Sequence, residues 1–100
     1  MDELKWLEDW MRSMCNGSWE HCYGVQIGTL DNPGWWVEID IVDTPLEDKK
    51  FEKYSNYVNE QDWIHCKVED GHFDGGGDLS KLPEILKRFR IWAEEQEDAL

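Results

Sequence analysis

DNPGWWVEIDI, residues 31–41, sets a turn-forming Asn32-Pro33-Gly34 before a run in which Trp35, Val37, Ile39 and Ile41 alternate with Trp36, Glu38 and Asp40. Successive side chains of a strand point to opposite faces, so this run is a strand with one apolar and one acidic face. Its two adjacent tryptophans cannot enter the same core. The preceding segment, residues 20–30, alternates as well, with Tyr23, Val25, Ile27 and Thr29 on one side and Cys22, Gly24, Gln26 and Gly28 on the other. As a hairpin the two strands match faces only when paired residue numbers sum to an even value, for example Val25 with Ile41, Ile27 with Ile39 and Thr29 with Val37. That register demands a loop of three or five residues. Pro33-Gly34 suits positions i+1 and i+2 of a type II turn, a poor connector for the tightest hairpins, which points the same way.

Working outward, residues 2–15 place Leu4, Leu7, Met11 and Met14 at helical spacing with Trp6 and Trp10 beside them, after an acidic start at Asp2 and Glu3 and before an Asn16-Gly17 stop. DTPLEDKK (43–50) reads as a polar connection, FEKYSNYV (51–58) as a weak strand, and DWIHCKVED (62–70) as a clear strand with Ile64, Cys66 and Val68 inward. Gly71 turns the chain. His72-Phe73 leaves a short fifth strand open, and the glycines at 75–77 read as a connection to a cap at Asp78 or Ser80. Leu82, Ile85, Leu86, Phe89, Trp92 and Ala93 then trace a closing helix with Pro83 in its first turn. The expected fold is α+β: an antiparallel sheet of four or five strands with the N-terminal and C-terminal helices packed on one face, in one domain over residues 1–100. The expected core is Trp35, Val37, Ile39, Ile64, Val68, Leu82, Ile85, Leu86 and Phe89 with Leu7 and Met11.

Seven Trp, three Tyr and three Phe supply enough apolar area for a chain of 100 residues to fold without a metal or a disulfide. Ten Lys/Arg against 23 Asp/Glu give a net charge of −13, which repels nucleic acid and anionic membrane and attracts a basic protein. The start Met-Asp-Glu-Leu has no basic n-region or apolar h-region, and no apolar run approaches membrane-spanning length. Three cysteines in no disulfide-framework spacing agree with a reducing compartment. The expectation is a cytoplasmic protein, monomeric when free.

No motif of a catalytic or metal site is complete. His21-Cys22 and His65-Cys66 would suit tetrahedral zinc, but strand parity turns His21 and Cys66 inward and Cys22 and His65 outward, leaving one His and one Cys per face. Asp70, Asp74 and Asp78 lack the spacing of a calcium loop, and Gly75–Gly77 lack the Gly-Lys-Ser/Thr of a phosphate loop. There is no nucleophile elbow and no assignable Cys–His pair. No catalytic residue, metal or cofactor is expected. What stands out is the outer sheet face, with Trp36, Glu38 and Asp40 on one strand and Trp63, His65, Lys67 and Glu69 on another. Aromatics among acids have the composition of a recognition surface for a basic partner, and Trp36, Glu38, Asp40, Trp63, His65 and Glu69 are the candidate binding residues. Two roles for Trp36 stay open, because in the register above Gly28 faces Glu38, and Trp36, diagonal to it, could fold over the glycine instead.

The segments WLEDW, SWEHCYG, LDNPGWWVEIDI, DWIHCKVEDG, FDGGGD and LPEILKRFRIW together resemble the immunity protein 53 family of bacterial polymorphic-toxin systems, from about residue 3 to residue 92. NPGW and DWIHCKVEDG are the most specific of these. The resemblance implies a small, non-enzymatic antidote that binds and inhibits a cognate toxin domain. Many toxins of such systems are nucleases with basic surfaces, for which the acidity would be a complement. It transfers no catalytic residue. The alternative is a stand-alone small-molecule-binding or catalytic domain that uses the open sheet face.

Overall fold

The computed structural model describes residues 2–95. Helix α1 (Glu3–Met14) starts at Asp2, whose carboxylate accepts hydrogen bonds from the backbone N–H of Leu4 and Lys5, as an N-cap should. Five antiparallel strands follow: β1 (Val25–Leu30), β2 (Gly34–Asp40), β3 (Tyr54–Asn59), β4 (Asp62–Glu69) and β5 (His72–Gly77). Between α1 and β1 lies a single helical turn, α2 (Trp19–Cys22), and helix α3 (Leu82–Glu94) closes the fold. The strand order is β1-β2-β5-β4-β3, so the fifth strand is present and sits in the middle.

The hairpin parity read from the sequence holds, but the register is two residues tighter. Val25 pairs with Ile39, Ile27 with Val37, and Gly28 directly with Trp36 rather than with Glu38. The loop has three residues, Asp31–Pro33, and Gly34 is already the first strand residue, outside the left-handed region that position i+2 of a type II turn would need. Gly34 serves close packing: a Cβ there would lie 2.5 Å from the Gly77 carbonyl oxygen. The β4–β5 turn is a two-residue Asp70-Gly71 connection with both residues at positive φ, the backbone of a type I′ hairpin.

Residues 20–22 are not strand. Asn16 Oδ1 accepts from the N–H of Ser18 and Trp19, while the Glu20 carboxylate accepts from the N–H of Asn16 and Gly17, and this local network winds the segment into α2. His21 and Cys22 are consequently exposed side chains of a helix, not members of opposite sheet faces. Trp19 is the residue that α2 buries, with its indole N–H donating to the Val42 carbonyl at 2.8 Å.

The larger departure is Gly75-Gly76-Gly77, which is no connection but half of the central strand. Glycine weakens a strand unless something approaches it closely. Here neighbours do so from both faces: a Cβ on Gly75 would meet Ile85 Cγ2 at 2.6 Å, one on Gly77 would meet Lys81 Cβ at 2.7 Å, and one on Gly76 would meet His65 Nε2 at 2.7 Å. The bare inner positions let α3 settle onto the sheet, and the bare outer position accepts the imidazole. Neither Asp78 nor Ser80 caps α3; Lys81 occupies the N-cap position without a side-chain cap, and Pro83 stands in the first turn.

Val37, Ile39, Ile64, Ile85, Leu86, Phe89 and Leu7 are buried as expected, and Trp35, Val68, Leu82 and Met11 are partly buried against them. Trp10, Trp19, Ile41, Leu46, Cys66, Phe73 and Trp92 complete the core. Phe89 is its hub, in edge-to-face contact with Trp6, Trp10, Phe73 and Trp92 at centroid distances of 5.9, 5.1, 5.2 and 6.0 Å. Leu46 and the buried Thr44, whose hydroxyl donates to the Ile41 carbonyl at 2.6 Å, tie the polar 43–50 segment to that core. Glu3 and Arg90 join α1 to α3 through paired contacts of 2.6 and 3.2 Å. Both long helices thus lie on one face of the sheet, and no helix among the described residues is long and apolar enough to cross a membrane.

Candidate binding face

With the helices on the inner face, the outer face is assembled row by row from the strand register. Gly28, Trp36, Gly76, His65 and Ser55 form one row, and Gln26, Glu38, Asp74 and Lys67 the next. Asp40, His72 and Glu69 form a third, and Trp63 and Tyr57 stand opposite each other at the far end. All six residues expected from the sequence are therefore on this one face. Those of β2 and those of β4 are separated by β5, whose His72 and Asp74 join them.

The aromatic side chains lie down over glycines. Trp36 covers Gly28 so closely that a Cβ there would be 2.5 Å from the indole Nε1. The Trp63 and His65 rings stack at 5.8 Å with 20° between their planes, His65 over Gly76 and the Trp63 edge against Gly34. Trp36 and Trp63 remain half-buried, while Trp35, on the opposite side of β2, donates its indole N–H to the Leu79 carbonyl at 3.0 Å. Among the described residues the indole N–H groups of Trp6, Trp19, Trp35 and Trp92 have protein acceptors, and those of the core residue Trp10 and of Trp36 and Trp63 do not. The structure thus gives Trp36 the covering role, with the Nε1 edge of its ring closest to Gly28.

Around the rings the charge is predominantly negative. Glu38 pairs with His72 at 3.2 Å, and Lys67 pairs with Glu69 at 3.1 Å, which holds the ammonium in its charged form. Asp40 Oδ2 accepts the Gly24 N–H at 2.9 Å, so this carboxylate also fastens the start of β1. Asp74 lies between Glu38 and Lys67 in the register.

Beneath Trp63 is a compact polar anchor. Asp78, 4% exposed, accepts from the Trp63 N–H, the Ser80 N–H and Lys81 Nζ at 2.8 Å each and from the Ser80 hydroxyl at 2.5 Å. Burial alone would raise its pKa, but the Lys81 and Ser80 bonds outweigh that and hold the carboxyl far below the usual range. Lys81 Nζ also meets Asp62 Oδ1 at 2.8 Å, and hydrogen bonds to Asp62 and Asp78 raise its pKa. A depressed folded-state pKa contributes stability that is complete above the unfolded value, about 3.9, and lost as pH falls through the folded one. The protein is therefore expected to lose stability below about pH 4, and Asp78→Asn, less stable at pH 7, should show a flatter acid limb in denaturant midpoints. An identical acid limb in the variant would show that Asp78 does not govern it.

Among the described residues no group of three or more His, Cys, Asp or Glu is placed to hold a metal ion. Cys15 and Cys22 are exposed free thiols, and burial pushes the Cys66 thiol up to about 12, which removes its thiolate chemistry near neutral pH.

Sequence reasoning missed His72, Asp74 and Tyr57 as members of this face. The period-two pattern of HFDGGG, with His72, Asp74 and Gly76 on one side and Phe73, Gly75 and Gly77 on the other, carried the signal for the first two.

In comparison with known proteins, the model of one family, described as immunity protein 53, matches residues 4–94. Neither curated proteins nor solved structures gave a match.

Proposed function

From the premise that the chain belongs to the immunity protein 53 family, we propose that it neutralises a cognate bacterial polymorphic toxin domain in the cytoplasm by binding it through the outer sheet face. Membership makes it an immunity protein whose partner is a toxin protein, a role that calls for a binding surface rather than a catalytic one. The toxin domain is basic, of the kind that holds phosphate in a nuclease. The observation that supports this most directly is the outer face itself: half-buried Trp36 and Trp63, with indole N–H groups unpartnered among the described residues, set among Glu38, Asp40, Glu69 and Asp74 in a chain of net charge −13. Aromatic anchors in a negative field fit a basic protein surface and repel nucleic acid.

The aromatic and the charged residues should fail differently. Trp36→Ala is expected to speed dissociation of the toxin complex by about 30-fold, the ~2 kcal/mol of a central aromatic, with a small fall in thermal stability from uncovering Gly28. Glu38→Gln with Asp40→Asn should slow association and flatten its salt dependence, since rim charges act mainly on encounter; the amide that replaces the Asp40 carboxylate keeps an acceptor for the Gly24 N–H. Stopped-flow association and competition dissociation, with unfolding midpoints measured alongside, check both. A Trp36→Ala variant that loses stability but binds as before would confine Trp36 to packing.

A further inference from the structure

The far end of the outer face is not flat. The β1–β2 loop, the β3–β4 turn and the segment leading into α3 enclose a cleft of about 750 Å³ walled by Pro33, Tyr57, Trp63 and Leu79, with Glu60 and Gln61 on its rim. Tyr57 is 67% exposed and Leu79 57%, two of the most exposed large apolar side chains among the described residues. Asp78, which also lines the cleft, offers a ligand no free acceptor: its carboxylate takes four donors, and Lys81, which belongs to the same anchor, is held between Asp62 and Asp78. Among the described residues no Lys or Arg lines the cleft, whereas Glu60 does, with Asp31 and Asp62 next to its lining residues in the chain.

We infer that this cleft is the anchor pocket for an arginine of the toxin, its guanidinium lying on the Tyr57 ring and paired with Glu60. The inference rests on the toxin-binding reading and names the chemistry at one end of that face. An apolar wall with one carboxylate at its edge suits an amphipathic cation, whose stem lines the wall while its head reaches the acid. Arginine fits better than lysine, since a planar, weakly hydrated guanidinium stacks on aromatic faces. The same strand already shows this packing on its other face, where Arg88 Cζ lies 3.4 Å from the centre of the Tyr54 ring. Tyr57 stands at the register shift between Tyr57 and Asn59, an irregularity that interrupts the ladder of this edge strand beside the cleft.

The test uses the protein and its cognate toxin domain, inactivated in its own catalytic site. Tyr57→Ala should weaken the complex about 10- to 30-fold through faster dissociation, Tyr57→Phe should bind nearly as the parent, and Glu60→Gln should weaken binding less and lower its salt dependence. Both side chains are exposed, and unchanged unfolding midpoints will confirm intact folds. A double-mutant cycle of Tyr57→Ala against each surface Arg→Ala of the toxin should find one strongly coupled arginine. If Tyr57→Ala and Glu60→Gln bind as the parent, or no arginine couples, while Trp36→Ala weakens binding, the pocket is refuted and the face stands. If none of these variants changes affinity, the face and the pocket fall together.

Discussion

Phe89→Ala is expected to be among the most damaging single substitutions in the chain, costing ~3–5 kcal/mol. The side chain is fully buried and holds the edges of four other aromatic rings, contributed by α1, β5 and α3 itself. Two of those rings are locked on their far sides: Trp6 by its N–H to Glu94 at 3.0 Å, Trp92 by its N–H to the Lys50 carbonyl at 2.7 Å. Collapse of either ring into the space would strain these bonds, which limits relaxation and keeps the cost at the level of a cavity. Domains of this size have only ~5–15 kcal/mol in total, and urea unfolding should show a large fall in midpoint beside Glu52→Ala, which alters an exposed position and should cost little. Equal shifts for the two would mean that Phe89 is not the hub.

Gly75→Ala should destabilise by ~1–3 kcal/mol through overpacking, more than offsetting the ~0.4–1 kcal/mol that alanine gains from a less flexible unfolded chain. The new methyl would meet Ile85 Cγ2 at 2.6 Å, and Ile85 is fully buried with nowhere to turn, so α3 has to lift from the centre of the sheet. Gly76→Ala is the informative partner. Its methyl meets only the exposed His65 ring, which can swing outward, so the stability loss should be smaller while the stack with Trp63 is broken. Thermal unfolding of the two variants separates close helix docking from ring coverage; a milder effect at Gly75 than at Gly76 would contradict the packing described for β5.

Most of this architecture is legible in the chain because alternation is a local property. Trp35, Val37 and Ile39 against Trp36, Glu38 and Asp40 fix the faces of β2 whatever it pairs with, and the same parity places Trp63, His65 and Glu69 on the outer face. Exact register is not local. Shifting the β1–β2 pairing by two residues keeps every face, so Gly28 opposite Glu38 and Gly28 opposite Trp36 read equally well until a tryptophan actually lies over a glycine. The triple glycine reads as a connection for a related reason: its strand conformation is imposed by Ile85, Lys81 and His65, residues outside the run that fill the space of the missing side chains. Likewise α2 replaces the expected strand start because side-chain bonds from Asn16 and Glu20 compete with the ladder, and period-two patterning does not register them.

The strand order carries a consequence for biosynthesis. A ribosome releases β1, β2, β3 and β4 before β5, yet β5 lies between β2 and β4 and is hydrogen-bonded to both. Until it emerges, the nascent chain can hold only two separate hairpins, each of which is marginal in water. Helix α1 is already present, but α3, which packs on β5 and β4, is made later still. The outer face, with Trp36 on one hairpin and Trp63 on the other, therefore comes into being in one late event rather than accumulating during translation. Truncated chains released before residue 77 would lack the complete β5 that joins the two hairpins and expose β2 and β4 as unpaired edges, which makes them candidates for aggregation or proteolysis.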